Sequence, residues 1–163
     1  MKTTLIWMIL ATAPLTRTAH AVSHPEIKEG EWSVHTVSVE NGSKRTEGTY
    51  KLCRSHAFDQ YVEGLAKNVK TCKMIGETYA GGKYTSESRC TMGKTVIASK
   101  GTTTFQSDTS MHSETHATYT PPMYGMSDTQ MTMDQKYVGS CPAGTQPGDR
   151  TNADGTVMHL WKH

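Results

Sequence analysis

The sequence predicts a mainly β fold: an antiparallel meander of about seven strands that forms a curved sheet or incomplete barrel, with one helix inserted after the second strand. Three observations predict it. Segments rich in Thr, Val and Tyr alternate in polarity between Gly- and Asn-marked turns. A single stretch, residues 57–66, switches to helical spacing. Four cysteines, Cys53, Cys72, Cys90 and Cys141, are distributed so that two disulfides would staple the strands.

Residues 1–21 read as a cleavable signal peptide. Lys2 supplies a short positive region, Leu5 to Leu15 an apolar one, and Ala19-His20-Ala21 a small-x-small cleavage pattern. The apolar stretch falls well short of the roughly 20 residues of a spanning helix, so no transmembrane segment is expected. Cleavage near Ala21 would leave one domain, residues 22–141, in the periplasm or secreted, and a flexible tail, residues 142–163.

The first strand covers Glu31 to Val39, Asn41-Gly42 turns the chain, and Lys44 to Cys53 returns it. Trp32 and Val34 have one parity while Val37 and Val39 have the other, which predicts a bulge near His35. Asn41-Gly42-Ser43 also matches a glycosylation sequon, but the hairpin turn explains it. Ala57, Phe58, Tyr61, Val62, Leu65 and Ala66 then mark the helix, with Ser55 as N-cap and Asn68 as a left-handed C-terminal cap. Five further strands follow: Thr71 to Tyr79, Lys83 to Thr91, Thr95 to Gln106, Met111 to Thr120, and Gln130 to Gly139. Beyond Cys141 the chain turns to Pro, Gly, Thr and Asp and ends in a small apolar cluster, Val157 to Trp161.

Loss of the leader removes Lys2 and Arg17, leaving 15 basic against 15 acidic residues, so the mature charge is near zero and no basic stripe marks nucleic acid as a partner. Leu, Ile, Val and Phe number only 17 after residue 21, so the core is thin and needs covalent help. Ala80-Gly81-Gly82 lies centrally between Cys72 and Cys90. A three-residue loop there, with Tyr79 opposite Lys83, sets Cys72 directly opposite Cys90, and Cys53 with Cys141 follows by elimination. In the chain-entropy model the short loop contributes about 3 kcal/mol and the long one about 4 to 5.

Ile27-x-x-Gly30-x-Trp32, Cys53 ahead of one helix, Cys72 and Cys90, a Met-rich strand and Gly139-Ser140-Cys141 occur in an order that resembles a bacterial exported family, domain of unknown function 3617. The resemblance spans Pro25 to Gly144. Glu29 stands where that family often has Pro, and Tyr137-Val138 where Arg-Leu is frequent. It implies a single periplasmic domain without an established activity.

Met111, His112, His116, Met123, Met126, Met131 and Met133 are candidate soft ligands for copper. Met111, however, has opposite parity to His112 and His116, and Met131 and Met133 also suit a thin core. His112, Glu114 and His116 form a same-parity row for base or metal chemistry, yet the two histidines stand roughly 13 Å apart on a strand. His159 and His163 lie in the tail. No nucleophile elbow, phosphate loop or calcium loop is present, and no cofactor is expected. The sequence therefore favours a non-enzymatic envelope module that uses a concave sheet face or strand edge to bind a lipophilic molecule or an envelope protein. A Met/His copper protein and a hydrolase without a recognised motif are the alternatives.

Overall fold

The computed structural model describes residues 25–161; the leader read at 1–21 lies outside them. Among the described residues nine strands form one open sheet: β1 (Gly30–Glu40), β2 (Lys44–Arg54), β3 (Cys72–Ala80), β4 (Lys83–Met92), β5 (Thr95–Ser107), β6 (Ser110–Met123), β7 (Met126–Gly139), β8 (Asp149–Asn152) and β9 (Val157–His159). Their order is β3-β4-β5-β6-β7-β1-β2-β8-β9, every neighbouring pair is antiparallel, and the sheet does not close. The helix α1 (His56–Asn68) links β2 to β3. The meander is as expected, with two more short strands.

Ser55 caps α1 by accepting from the Phe58 amide at 3.2 Å. The helix stops differently from expectation: Val69 is the C-cap in extended conformation, and Asn68 is not left-handed. At the entrance to α1 the N-terminal segment is fastened to it, because the His56 amide donates to Glu29 Oε1 at 2.8 Å and the His56 ring bonds the Ile27 carbonyl at 2.9 Å.

Register divides the side chains between two faces. On β6 the odd residues Met111 and Ser113 turn inward while Glu114, His116 and Thr118 are exposed. Following the pairings, the inner face receives Trp32 and Val34 from β1, Met131, Met133, Gln135 and Tyr137 from β7, and Thr103 and Phe105 from β5. The fully buried apolar residues lie at one end only, although Ile97, Tyr119 and Met131 set partly buried side chains on the same face toward the other end. At the first of these ends Trp32 is fully buried among Ile27 and Met111, with Phe105 and Tyr137 packed against the cluster. The indole donates to the Lys28 carbonyl at 2.9 Å, and Tyr137 meets it edge-on at 6.2 Å. Between these groups small hydroxyls line the inner face and pair across strands, Ser88 with Ser99 at 2.8 Å and Thr103 with Ser113 at 2.9 Å.

That one-ended core corrects the expected bulge near His35. The β1–β2 register is unbroken throughout, and the irregularity lies where Trp32 and Glu31 meet Tyr137 and Gly139, with Val138 extruded. Val37 and Val39 need no bulge, because there is little core at their end for them to reach, and they sit half-buried on the outer face. Gly30 is required at this crossing: its φ is +137°, and a Cβ would overlap the Gly139 carbonyl and approach Tyr137 to 2.8 Å.

The β3–β4 hairpin differs at its tip. Ala80 pairs with Lys83 around a two-residue turn in which Gly81 and Gly82 both have positive φ, rather than Tyr79 with Lys83. A bulge at Ile75 then shifts the register by one, so Cys72 still stands opposite Cys90 and the two are bonded. Cys53 is bonded to Cys141 across 88 residues.

The segment read as a flexible tail carries β8 and β9. Tyr50, Lys51 and Leu52 pair with β8, and the Gly148 amide donates to the Cys53 carbonyl at 2.8 Å. Trp161 lies at 6.0 Å from the Phe58 ring and stacks on Tyr61 at 5.6 Å, so the C-terminal end closes over α1. Packing on an aromatic pair decides this region, where local composition signals only turns.

Replacing Trp32 by Ala should lower the unfolding free energy by about 3 to 5 kcal/mol in urea, as for other fully buried aromatics. Val37→Ala, half-buried on the outer face, should cost under about 1 kcal/mol. Equal losses for both would disprove a core confined to the inner face around Trp32.

Candidate functional site

Three surfaces bear chemically distinctive side chains. The first is the outer face of β1, β7 and β6, where register sets His35, Asp134 and His112 side by side. The His112 ring bonds Asp134 at 2.7 Å through Nδ1 and faces Glu114 at 3.4 Å through Nε2. The hydrogen bond to Asp134 is the main reason its pKa lies above the ordinary imidazole value, partly offset by desolvation. His35 pairs with Glu47 at 2.9 Å, His116 with Asp128, and Lys100 with Glu87 at 2.7 Å. The depressions on this face are shallow, open and polar, lined by Lys100, Thr102, Glu114, His116 and Gln130 and, beside them, by Glu87 and Arg89. These groups exchange protons with the solvent that reaches them.

The candidate copper ligands are separated. Met111 lies in the core, Met131 and Met133 occupy the inner face, and His112 and His116 occupy the outer one. Met123 stands opposite Met126 at the β6–β7 turn, where the Met126 sulfur accepts from Thr129 at 3.1 Å. Among the described residues no three His, Cys, Asp or Glu side chains are grouped to hold a metal ion. His159 bonds Asp149 at 2.6 Å, while His163 lies outside the described residues.

The second surface is α1. Phe58, Tyr61, Val62, Leu65 and Val69 share one stripe by spacing, yet only Phe58 is buried; Val62 and Leu65 are 45% and 51% exposed. The helix is held by its first turn, where Arg54 donates to Asp59 at 3.0 Å and to Gln135 at 3.0 Å while lying 5.4 Å from the centre of the Trp32 ring. Burial nevertheless raises the Asp59 pKa, outweighing the attraction of Arg54. Farther along, burial, Glu77 and the charge of Glu63 on α1 push the Tyr84 hydroxyl up to about 12.

The third surface is the β6–β7 turn, where Tyr124 is 99% exposed at φ +52°. The sequence marks this residue only faintly. Its only signal is a bulky residue before Gly125 in a turn. Asn41, also at positive φ, clamps this turn: its side chain donates to the Gly125 carbonyl at 2.8 Å and accepts from the Ser127 and Asp128 amides at 2.9 and 3.2 Å. That engagement is the structural role of the apparent sequon.

Among the described residues no helix is long and apolar enough to cross a membrane. A family model described as a protein of unknown function, DUF3617, matches residues 27–141. No curated protein matches the chain.

The raised pKa values of His112 and His56, the latter from its bond to the Ile27 carbonyl, mean that folding favours their protonated forms. Their contribution is complete below the unfolded value near 6.5 and is lost as pH rises through the higher folded values. The raised Asp59 value acts in the same direction at lower pH, whereas the lowered Glu47, Asp149 and Asp154 values add stability that is lost as pH falls from the ordinary carboxylate range through their folded values. The urea midpoint should therefore be higher at about pH 5.5 than at about pH 7.5. Asp134→Asn should bring the His112 titration, followed by NMR, down toward the ordinary value. An unchanged His112 titration would remove Asp134 as its cause.

Proposed function

The chain belongs to the DUF3617 family, and we propose that it is an exported, non-enzymatic module of the bacterial envelope that binds an apolar segment of another protein along α1. The observation that carries this reading is the uncovered stripe of Val62 and Leu65, which continues from Tyr61. Trp161 meets its first turns, and Met158 and Leu160 beside Trp161 are exposed as well. Contiguous apolar side chains with polar surroundings are the usual mark of a protein contact. A lipophilic ligand is less well supported, because the aromatic end of the inner face is filled by Trp32, Met111 and their neighbours.

Export is supported by the leader pattern and by two disulfides, which an oxidising compartment maintains. A binding role rather than catalysis is supported by the occupation of every described cysteine in a disulfide and by the open, polar form of the outer-face depressions. The copper alternative has no comparable support, since its proposed ligands lie on different faces.

Native mass spectrometry of protein purified from the periplasm tests this reading. The expected species begins at Val22, retains a polypeptide partner, and loses it in the Val62→Ser, Leu65→Ser double variant without a change in thermal unfolding. A retained lipid or metal in place of a polypeptide, or equal retention by the double variant, would sink it.

A further inference from the structure

The turns at one end of the sheet combine exposed apolar apices with unpaired positive charge. At that end lie the β4–β5 turn, the β6–β7 turn and the α1–β3 link, because β4 and β6 finish there and β3, β5 and β7 begin there. Tyr124 projects from one turn at 99% exposure, Met92 flanks the next at 58%, and Val69 begins the link at 44%. Residues 117–127 contain no charged side chain. Around them stand the exposed Lys67, Lys70, Lys73 and Lys94, none of which forms an ion pair with a described residue. The acids at this end are already engaged, Glu40 with Lys44 at 3.0 Å and Asp128 with His116.

We propose that this end of the domain docks on an anionic membrane surface, with Tyr124 and Met92 entering the headgroup region and the four lysines facing lipid phosphates. Charge complementarity favours lipid: lysines without carboxylate partners surround apices that are apolar and project outward. The Tyr124 backbone adds to this. A non-glycine residue at positive φ carries strain that its side chain, exposed almost completely, does not repay within the fold. Asn41 nonetheless holds the turn rigid, so the ring is presented in one place. Tyrosine, with an apolar body and a polar tip, suits the membrane interface. One aromatic ring and a few lysines give reversible attachment, unlike insertion of a spanning helix.

This inference rests on the envelope reading only for where the membrane is met, and it can fail separately, because the test uses purified protein. The oxidised chain is sedimented with vesicles of phosphatidylglycerol and phosphatidylethanolamine, and with vesicles of phosphatidylcholine alone. Binding is expected to the anionic vesicles at low salt and to disappear at about 0.5 M salt. Replacing Lys73 or Lys94 by Ala should weaken it about fivefold each. Tyr124→Ser should weaken it with thermal unfolding unchanged, and Lys136→Ala, at the opposite end, should bind as the parent does. Absence of binding at low salt, equal binding to neutral vesicles, or parental binding by Tyr124→Ser would each overturn the proposal. An end that serves a protein partner instead would give the first of these results.

Discussion

The Trp32 indole is the point on which the elements converge. Buried polar N–H groups need an acceptor, and this one finds it in the Lys28 carbonyl, which brings the N-terminal segment across the sheet. Ile27 then packs beside Met111 from β6, while Arg54 at the end of β2 lies against the ring and joins Asp59 of α1 to Gln135 of β7. One side chain thus ties the entering segment, the sheet centre and the start of the helix. A chain so poor in large aliphatics has little else from which to build a core.

The remainder of the inner face shows how the sequence manages with so few apolar residues. Ser and Thr pair across strands, satisfying hydroxyls that would otherwise be costly to cover. The disulfides complement this arrangement. Cys53 with Cys141 joins the strand ends beside the aromatic cluster, whereas Cys72 with Cys90 ties the edge strand β3 where no apolar side chain is fully buried.

Much of the scaffold was legible because it follows period and parity. The seven long strands and Ser55 as cap follow from spacing, and the parity that separates Met111 from His112 also holds in the structure, whereas Cys72 meets Cys90 only because the Ile75 bulge offsets a turn one residue shorter than spacing suggests. What was illegible depends on long-range packing. The four residues of β8 lack an apolar alternation, and their order follows from Trp161 reaching Phe58 and Tyr61. The bulges at Ile75 and Val138 reconcile neighbouring registers that no single strand records. The candidate surfaces were hidden for the same reason: a helical stripe reads as core until the tertiary structure leaves it uncovered, and Tyr124 reads as one more residue of a turn.

The uneven placement of the core has a consequence for motion. Free energies of local opening scale with the apolar contacts that must be broken, so the end around Trp32 would open only with the whole molecule, while the hydroxyl-lined end can breathe on its own. Amide protection should grade along each long strand, falling from Trp32 toward Val39 in β1 and from Tyr137 toward Thr129 in β7. The Cys72–Cys90 link then acts as a stop on the excursion of β3, letting the loosely filled end fluctuate while its edge strand stays in register.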